Sequence, residues 1–157
     1  MKAKNDEIER LMAAYEKTSA KRIAKVKARE DKQKAEEKAQ ELFEENLRKK
    51  ITEVFRPVMK KLFNRLDKTL FKIESSLLSK ERGINECHEI IAIQEEETSF
   101  WLAIMVDDQD YNQARLTYLY SVNDKREVSE DINIKPEDID EALITKIFML
   151  CLRKICE

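Results

Sequence analysis

One glycine and two prolines stand in 157 residues: Gly83, Pro57 and Pro136. Glycine supplies positive φ without steric cost, and proline breaks regular hydrogen bonding, so these two residues punctuate most turns. A chain this poor in both has few marked places to reverse direction. None lies before Gly83 except Pro57. The first 82 residues are therefore expected to run as helix, with Gly83, after Lys80-Glu81-Arg82, as the stop.

The apolar pattern of that segment comes in three parts. Ile8, Leu11, Met12 and Tyr15 make a short stripe, followed by Ile23 and Val26. From Lys27 to Glu41 nothing apolar is larger than alanine, and ten of fifteen residues are charged. Opposite charges at i,i+4, as in Glu30–Lys34, Glu44–Arg48 and Glu45–Lys49, support an exposed helix by about 0.2–0.5 kcal/mol per pair. The stripe then returns from Leu42 to Leu78 through Leu47, Ile51, Val54, Phe55, Val58, Leu62, Leu66 and Ile73, at spacings of threes and fours that mark a helical period. Pairs such as Val54/Phe55 and Leu62/Phe63 make it wider than a two-per-heptad seam. A wide stripe needs more than one neighbour. These residues are expected to dimerise the chain and to pack on its own C-terminal part. Because the stripe keeps phase across Pro57, a kink is expected there and not a break.

After Gly83 the period changes to two. Glu86–Gln94, Thr98–Val106 and Ala114–Val122 read as strands joined by short polar connections, and a fourth is expected at about Glu127–Ile134 after a turn at Asn123-Asp124. Short connections imply an antiparallel meander. The strand Phe100–Val106 is apolar on both faces, which predicts a central strand covered on both sides. Pro136, with Glu137, Asp138 and Asp140 to complement the dipole, opens a last helix that is apolar around most of its circumference and so largely buried. The fold class is α+β: a long, coiled-coil-like N-terminal helix, a three- to four-stranded antiparallel meander and a buried C-terminal helix. The expected organisation is a charged helical arm over 1–41, an amphipathic stalk helix over 42–82 and a small acidic head over 83–157.

Charge is segregated along the chain. Residues 1–82 hold 23 Lys/Arg against 15 Asp/Glu, and residues 83–157 hold 7 against 17, so a net charge of −2 conceals +8 and −10. That asymmetry suits a polyanion on the basic half, or attraction between copies. The strongest basic feature is Lys17, Lys21, Arg22, Lys25, Lys27 and Arg29, six cations in thirteen residues with no acid among them. Like charges every four residues destabilise a free helix, so the strip suggests a nucleic-acid partner.

Chemistry is more sharply bounded. Phosphate-cradling loops of the P-loop or dinucleotide type need several glycines, which one glycine cannot supply. A single histidine, His88, rules out sites needing two imidazoles, and it reads as an ordinary strand residue at a surface or rim. Cys87, Cys151 and Cys156 lack zinc or disulfide spacing, and Cys87 and His88 must point to opposite faces of a strand. Free thiols suit a cytoplasmic setting. Asp108-Gln109-Asp110-Tyr111-Asn112 begins like a calcium loop but lacks the required glycine, with Gln113 in its place, and has Leu119 where a bidentate glutamate belongs. No signal peptide is seen, and the longest apolar run, Phe100–Val106, is far short of the roughly 20 residues of a membrane span. No metal or cofactor is expected. The pattern predicts a non-enzymatic, homodimeric interaction protein with another protein as partner. Nucleic-acid binding through Lys17–Arg29 is the alternative, and a carboxylate-based enzyme site in the head a second one.

Overall fold

A computed structural model describes residues 2–77, 85–95, 97–106, 113–123, 125–128 and 131–157. Its element order is helix α1 (Lys2–Lys50), a π-helical turn (Ile51–Phe55), helix α2 (Arg56–Asn64), strands β1 (Phe71–Leu77), β2 (Asn85–Ala92), β3 (Ser99–Val106), β4 (Ala114–Val122), β5 (Lys125–Val128) and β6 (Ile132–Ile134), a 3₁₀ turn (Pro136–Asp138) and helix α3 (Glu141–Cys156). The class is α+β. The chain divides into two units, Met1–Glu41 and Leu42–Glu157. The first is helical over its described residues and solvent-exposed almost throughout. The second holds the core.

Pro57 disturbs the helix without ending it. Proline has no N–H to give the carbonyl of Glu53, and its ring would press on that carbonyl in a regular α-helix. The chain answers by widening at Ile51–Phe55, where the Arg56 N–H reaches Ile51 O five residues back. A local π-turn of this kind is one of the few identifiable causes of helix irregularity.

The helical run does not reach Gly83. Arg65 N bonds Leu62 O at 3.1 Å and Leu66 N bonds Phe63 O at 2.9 Å, the tighter pairing that closes a helix end. Asp67 then makes the reversal that neither glycine nor proline marks. Its Oδ1 accepts from Thr69 N at 2.9 Å and from Thr69 Oγ1 at 2.7 Å, while its carbonyl accepts from Leu70 N and Phe71 N, both at 3.0 Å. An aspartate side chain bonding two residues onward is a turn in its own right. Beyond it Phe71–Leu77 is strand, not stalk helix, and Leu66 and Ile73 leave the expected helical stripe. Gly83 lies outside the described residues.

The sheet is antiparallel with strand order β1-β2-β3-β4-β5, and β6 pairs with the other half of β4's free edge. It is wider than the expected three or four strands. The extra edge strand β1 pairs with β2 from Phe71↔Ala92 to Leu77↔Glu86, and the expected fourth strand is realised as two short ones on β4. Asn123, at φ 49°, sits in the tight turn after β4, where Val122 pairs with Lys125. Left-handed backbone is tolerated by asparagine and matches the twist of a two-residue hairpin loop.

Alternation places Ile90 of β2, Phe100, Leu102, Ile104 and Val106 of β3, and Ala114 and Leu116 of β4 on one face. All are buried, in one cluster with Leu47, Ile51, Phe55, Val58, Met59 and Leu62 and with Ile144, Ile147, Phe148 and Cys151 of α3. Phe100 and Phe148 meet edge to face at 5.2 Å. The helices around Pro57 and α3 therefore cover the same side of the sheet. Strand β3 is central and the helices cover one of its faces; on the other, Ala103 is buried and Trp101 and Met105 are half-buried. The reason is width: five strands at about 4.8 Å each present roughly 20 Å, enough for two helices about 10 Å apart.

The residues expected to dimerise the chain and to pack on its own C-terminal part, Leu47, Ile51, Val54, Phe55, Val58, Leu62, Leu66 and Ile73, all pack into the core of the one chain. Leu47, Ile51, Phe55, Val58 and Leu62 are buried, and Val54, Leu66 and Ile73 pack partly buried against them. Helix α3 buries Ile144, Ile147, Phe148 and Cys151 and packs Leu143, Leu152 and Ile155 partly buried against the core, while Met149 and Leu150 are exposed. Its cap is Asp140, whose side chain accepts from Leu143 N at 2.7 Å, and Pro136 opens a separate 3₁₀ turn. Among the described residues, no helix is long and apolar enough to cross a membrane.

Candidate functional site

Two regions are candidates for function: a polar chain at the sheet edge, and the arm, exposed over most of residues 4–41. The first is anchored by Glu86, the only buried carboxylate among the described residues. Glu86 and His88 are two apart on β2, so both point to the core face. Ser75 of β1 is the cross-strand partner of His88. Arg56, at the start of α2, reaches down from the helical layer.

The geometry is a continuous line. Arg56 Nε and Nη2 donate to Glu86 Oε1 and Oε2 at 2.7 and 2.9 Å, a bidentate pair. His88 Nε2 lies 2.9 Å from Glu86 Oε1, and Ser75 Oγ lies 2.9 Å from His88 Nδ1. A carboxylate only accepts, so Nε2 carries a proton and donates to Glu86; in the neutral ring Nδ1 is then the acceptor for the Ser75 hydroxyl. Phe55 packs edge to face on the imidazole at 5.2 Å. His88 is thus buried with an orienting partner, not an ordinary rim residue. Burial pushes the Glu86 carboxyl up, but the hydrogen bonds from Arg56 and His88 and their charge attraction outweigh it, holding the group below its ordinary value. The bond to Glu86 outweighs burial at Arg56 and raises that group.

Nucleophile, base and orienting acid are connected in the order a serine hydrolase uses. The charge balance differs. In such a relay the acid must stabilise an imidazolium, whereas here Arg56 already neutralises Glu86 and stands beside the same oxygen. Arg56 and Glu86 join the helical layer to the sheet edge.

Other candidate chemistries find no assembled site. Cys87 and His88 point to opposite faces of β2, Cys151 is buried in the core and Cys156 is exposed, and none of the three is in a disulfide. Among the described residues no three His, Cys, Asp or Glu side chains gather as metal ligands. The acidic loop from Asp108 to Asn112 lies outside the described residues. A cleft of about 560 Å³ beside β6 is lined by Glu137, Asp138 and Asp140 with Lys146. Two of these carboxylates are engaged by backbone: Asp138 accepts from Lys135 N at 2.9 Å, and Asp140 caps α3. A second cleft of about 380 Å³, between Leu62, Arg65 and Leu66 of the helical run and Phe148, Met149 and Leu152 of α3, is mainly apolar and has no acid in its lining.

The arm is where side chains stand free. Ile8, Leu11, Met12, Tyr15, Ile23 and Val26 are 52–66% exposed. Lys17, Lys21, Arg22, Lys25, Lys27 and Arg29 are all exposed, and none has an ion-pair partner among the described residues. The apolar and basic residues of the arm were visible in the sequence. The Ser75–His88–Glu86–Arg56 line was hidden, because it needs strand β1 and a contact across thirty residues. Its one sequence signal is the Glu86-x-His88 spacing on a strand. Comparison of the chain with known protein families, with curated proteins and with solved structures finds no match.

Proposed function

We propose that this chain is a non-enzymatic interaction protein that self-associates through its N-terminal arm and carries an acidic α+β unit. The observation behind this is the uncovered stripe Ile8–Val26. Six large apolar side chains on one face of a helix are left in solvent, whereas the stripe after Leu42 has a core to enter. Exposed apolar clusters of this kind mark binding surfaces more often than isolated apolar residues do. The remainder, 42–157, holds 18 Lys/Arg against 23 Asp/Glu and acts as the body that the arm brings together or presents. Light scattering on the full chain across a concentration series tests the proposal. The mass should rise with concentration, and Leu11→Lys with Tyr15→Lys and Ile23→Lys should return it to that of one chain. A parent chain that stays monomeric throughout overturns the reading.

A second reading, polyanion binding, rests on a different observation: the six arm cations have no ion-pair partner among the described residues. Phosphates lying along them would release condensed ions, so affinity for duplex DNA or RNA should fall steeply with salt. An anisotropy titration at low and moderate salt measures this, and Lys21→Glu with Lys25→Glu and Arg29→Glu should abolish it. Binding that ignores salt, or no binding, removes nucleic acid from consideration.

A further inference from the structure

We infer that the partner of the arm stripe is a second copy of the same segment lying antiparallel to it, with the two-fold axis near Lys17. The inference rests on the self-association reading above and specifies its geometry. At about 100° per residue, Ile8, Leu11, Met12, Tyr15, Ser19, Ile23 and Val26 fall within an arc of about 120°, over a length of roughly 27 Å. The stripe is close to symmetric about residue 17. Ile8 and Val26 lie nine residues either side, Leu11 and Ile23 six, and Tyr15 and Ser19 two, so a large ring faces a small residue. Antiparallel pairing therefore sets Ile8 against Val26, Leu11 against Ile23 and Tyr15 against Ser19, and lays the aliphatic stem of Arg22 against Met12.

Charge decides the direction. Residues 5–16 carry Asp6, Glu7, Glu9 and Glu16 against Arg10, whereas residues 17–29 carry six cations and no acid. A parallel pair would put the two cationic stretches side by side. An antiparallel pair sets each against the other copy's acidic stretch. Glu7 and Lys25 are eighteen residues apart, as are Glu9 and Lys27, which is five helical turns. Each pair thus marks the two ends of one edge of the stripe. In an antiparallel pair like edges face each other, which brings Glu7 toward Lys25 and Arg29 of the other copy and Glu9 toward Lys27. The same segregation disfavours an anionic membrane, since Glu7, Glu9 and Glu16 would be repelled at the end where four of the six apolar residues sit. A partner of other chemistry is not required: the segment is complementary to itself.

One position argues the opposite way locally. Glu16 lies one residue from the centre on the Glu9–Lys27 edge, so the two-fold axis places it near its own counterpart. Glu16→Gln should therefore tighten association severalfold, whereas in a parallel pair that residue would face Leu11 or Thr18.

The test uses the full chain. Reversing Lys25, Lys27 and Arg29 to Glu should weaken association at least about tenfold, and adding Glu7→Lys with Glu9→Lys should restore it. A mixture of the Ile8→Cys and Val26→Cys chains, treated with a short bis-maleimide and mapped by mass spectrometry so that native thiols are told apart, should give 8–26 links and no 8–8 links. Association with 8–8 and 26–26 links means a parallel pair and overturns this inference while leaving the self-association reading in place. A chain that stays monomeric by light scattering overturns both, and so does a monomer that binds anionic vesicles through the same stripe.

Discussion

Arg56 and Glu86, thirty residues apart, are joined by two hydrogen bonds of 2.7 and 2.9 Å that tie the first turn of α2 to strand β2. The carboxylate is buried while the guanidinium side chain is 43% exposed, so only one partner has lost its water. Removing the exposed partner leaves the buried charge behind. Arg56→Ala should cost about 1–3 kcal/mol in urea unfolding, discounted from the value for a fully buried pair because solvent screens the arginine.

The same pair sets a pH dependence whose sign can be worked out. The Glu86 carboxyl is held below its ordinary value in the folded chain. Its contribution to stability is therefore present above the unfolded carboxyl value and is lost as pH falls through the folded one. In Arg56→Ala burial is opposed by His88 alone, so the carboxyl should move upward. The variant's deficit against the parent should then shrink as pH falls into the carboxylate range. Unfolding midpoints of both proteins between pH 7 and pH 4 measure this, and a deficit that grows on acidification would contradict the assignment.

Two leucines on helix α1, both beyond the arm, differ sharply in burial. Leu47 is 0% exposed and Leu42 is 59% exposed. Leu47→Ala removes packing against the sheet and should cost about 2–5 kcal/mol, whereas Leu42→Ala should fall within about 0.5 kcal/mol. Equal costs would mean that the burial assigned to α1 beyond Glu41 is wrong.

The Asp67 turn has its own signature. Hydrogen bonds from the Thr69 hydroxyl and N–H hold the Asp67 carboxyl below its ordinary value. Asp67→Ala should lower the unfolding midpoint at neutral pH, and Asp67→Asn, which keeps an accepting oxygen, should retain most of it. The gap between parent and Asp67→Ala should close as pH falls through the folded value.

Thiol reactivity should rank by environment. Burial pushes the Cys151 thiol up to about 12, so it should resist alkylation in the native chain. Cys156, exposed near the end of α3, should react first, and half-buried Cys87 should be slower. Timed iodoacetamide labelling with mass spectrometry gives the order.

Periodicity by itself determined the α+β class, strands β2 to β4, the antiparallel meander and the last helix, because alternation and helical spacing are local properties. The arm's apolar and basic residues were legible as patterns, and their exposure is a finding of the structure. What periodicity could not decide was the stretch after Leu66. Leu66, Leu70, Ile73 and Leu77 keep helical spacing, yet Phe71, Lys72, Ile73 and Glu74 alternate, and both periods are satisfied at once. The tertiary structure chose the strand, since pairing with β2 satisfies a sheet edge and packs Phe71 and Ile73 against the core. With β1 in place the sheet is broad enough for both helical layers on one face. The wide stripe is then consumed within one chain, and Ser75 comes opposite His88. Each of these outcomes depends on contacts between residues distant in sequence, which no local pattern encodes.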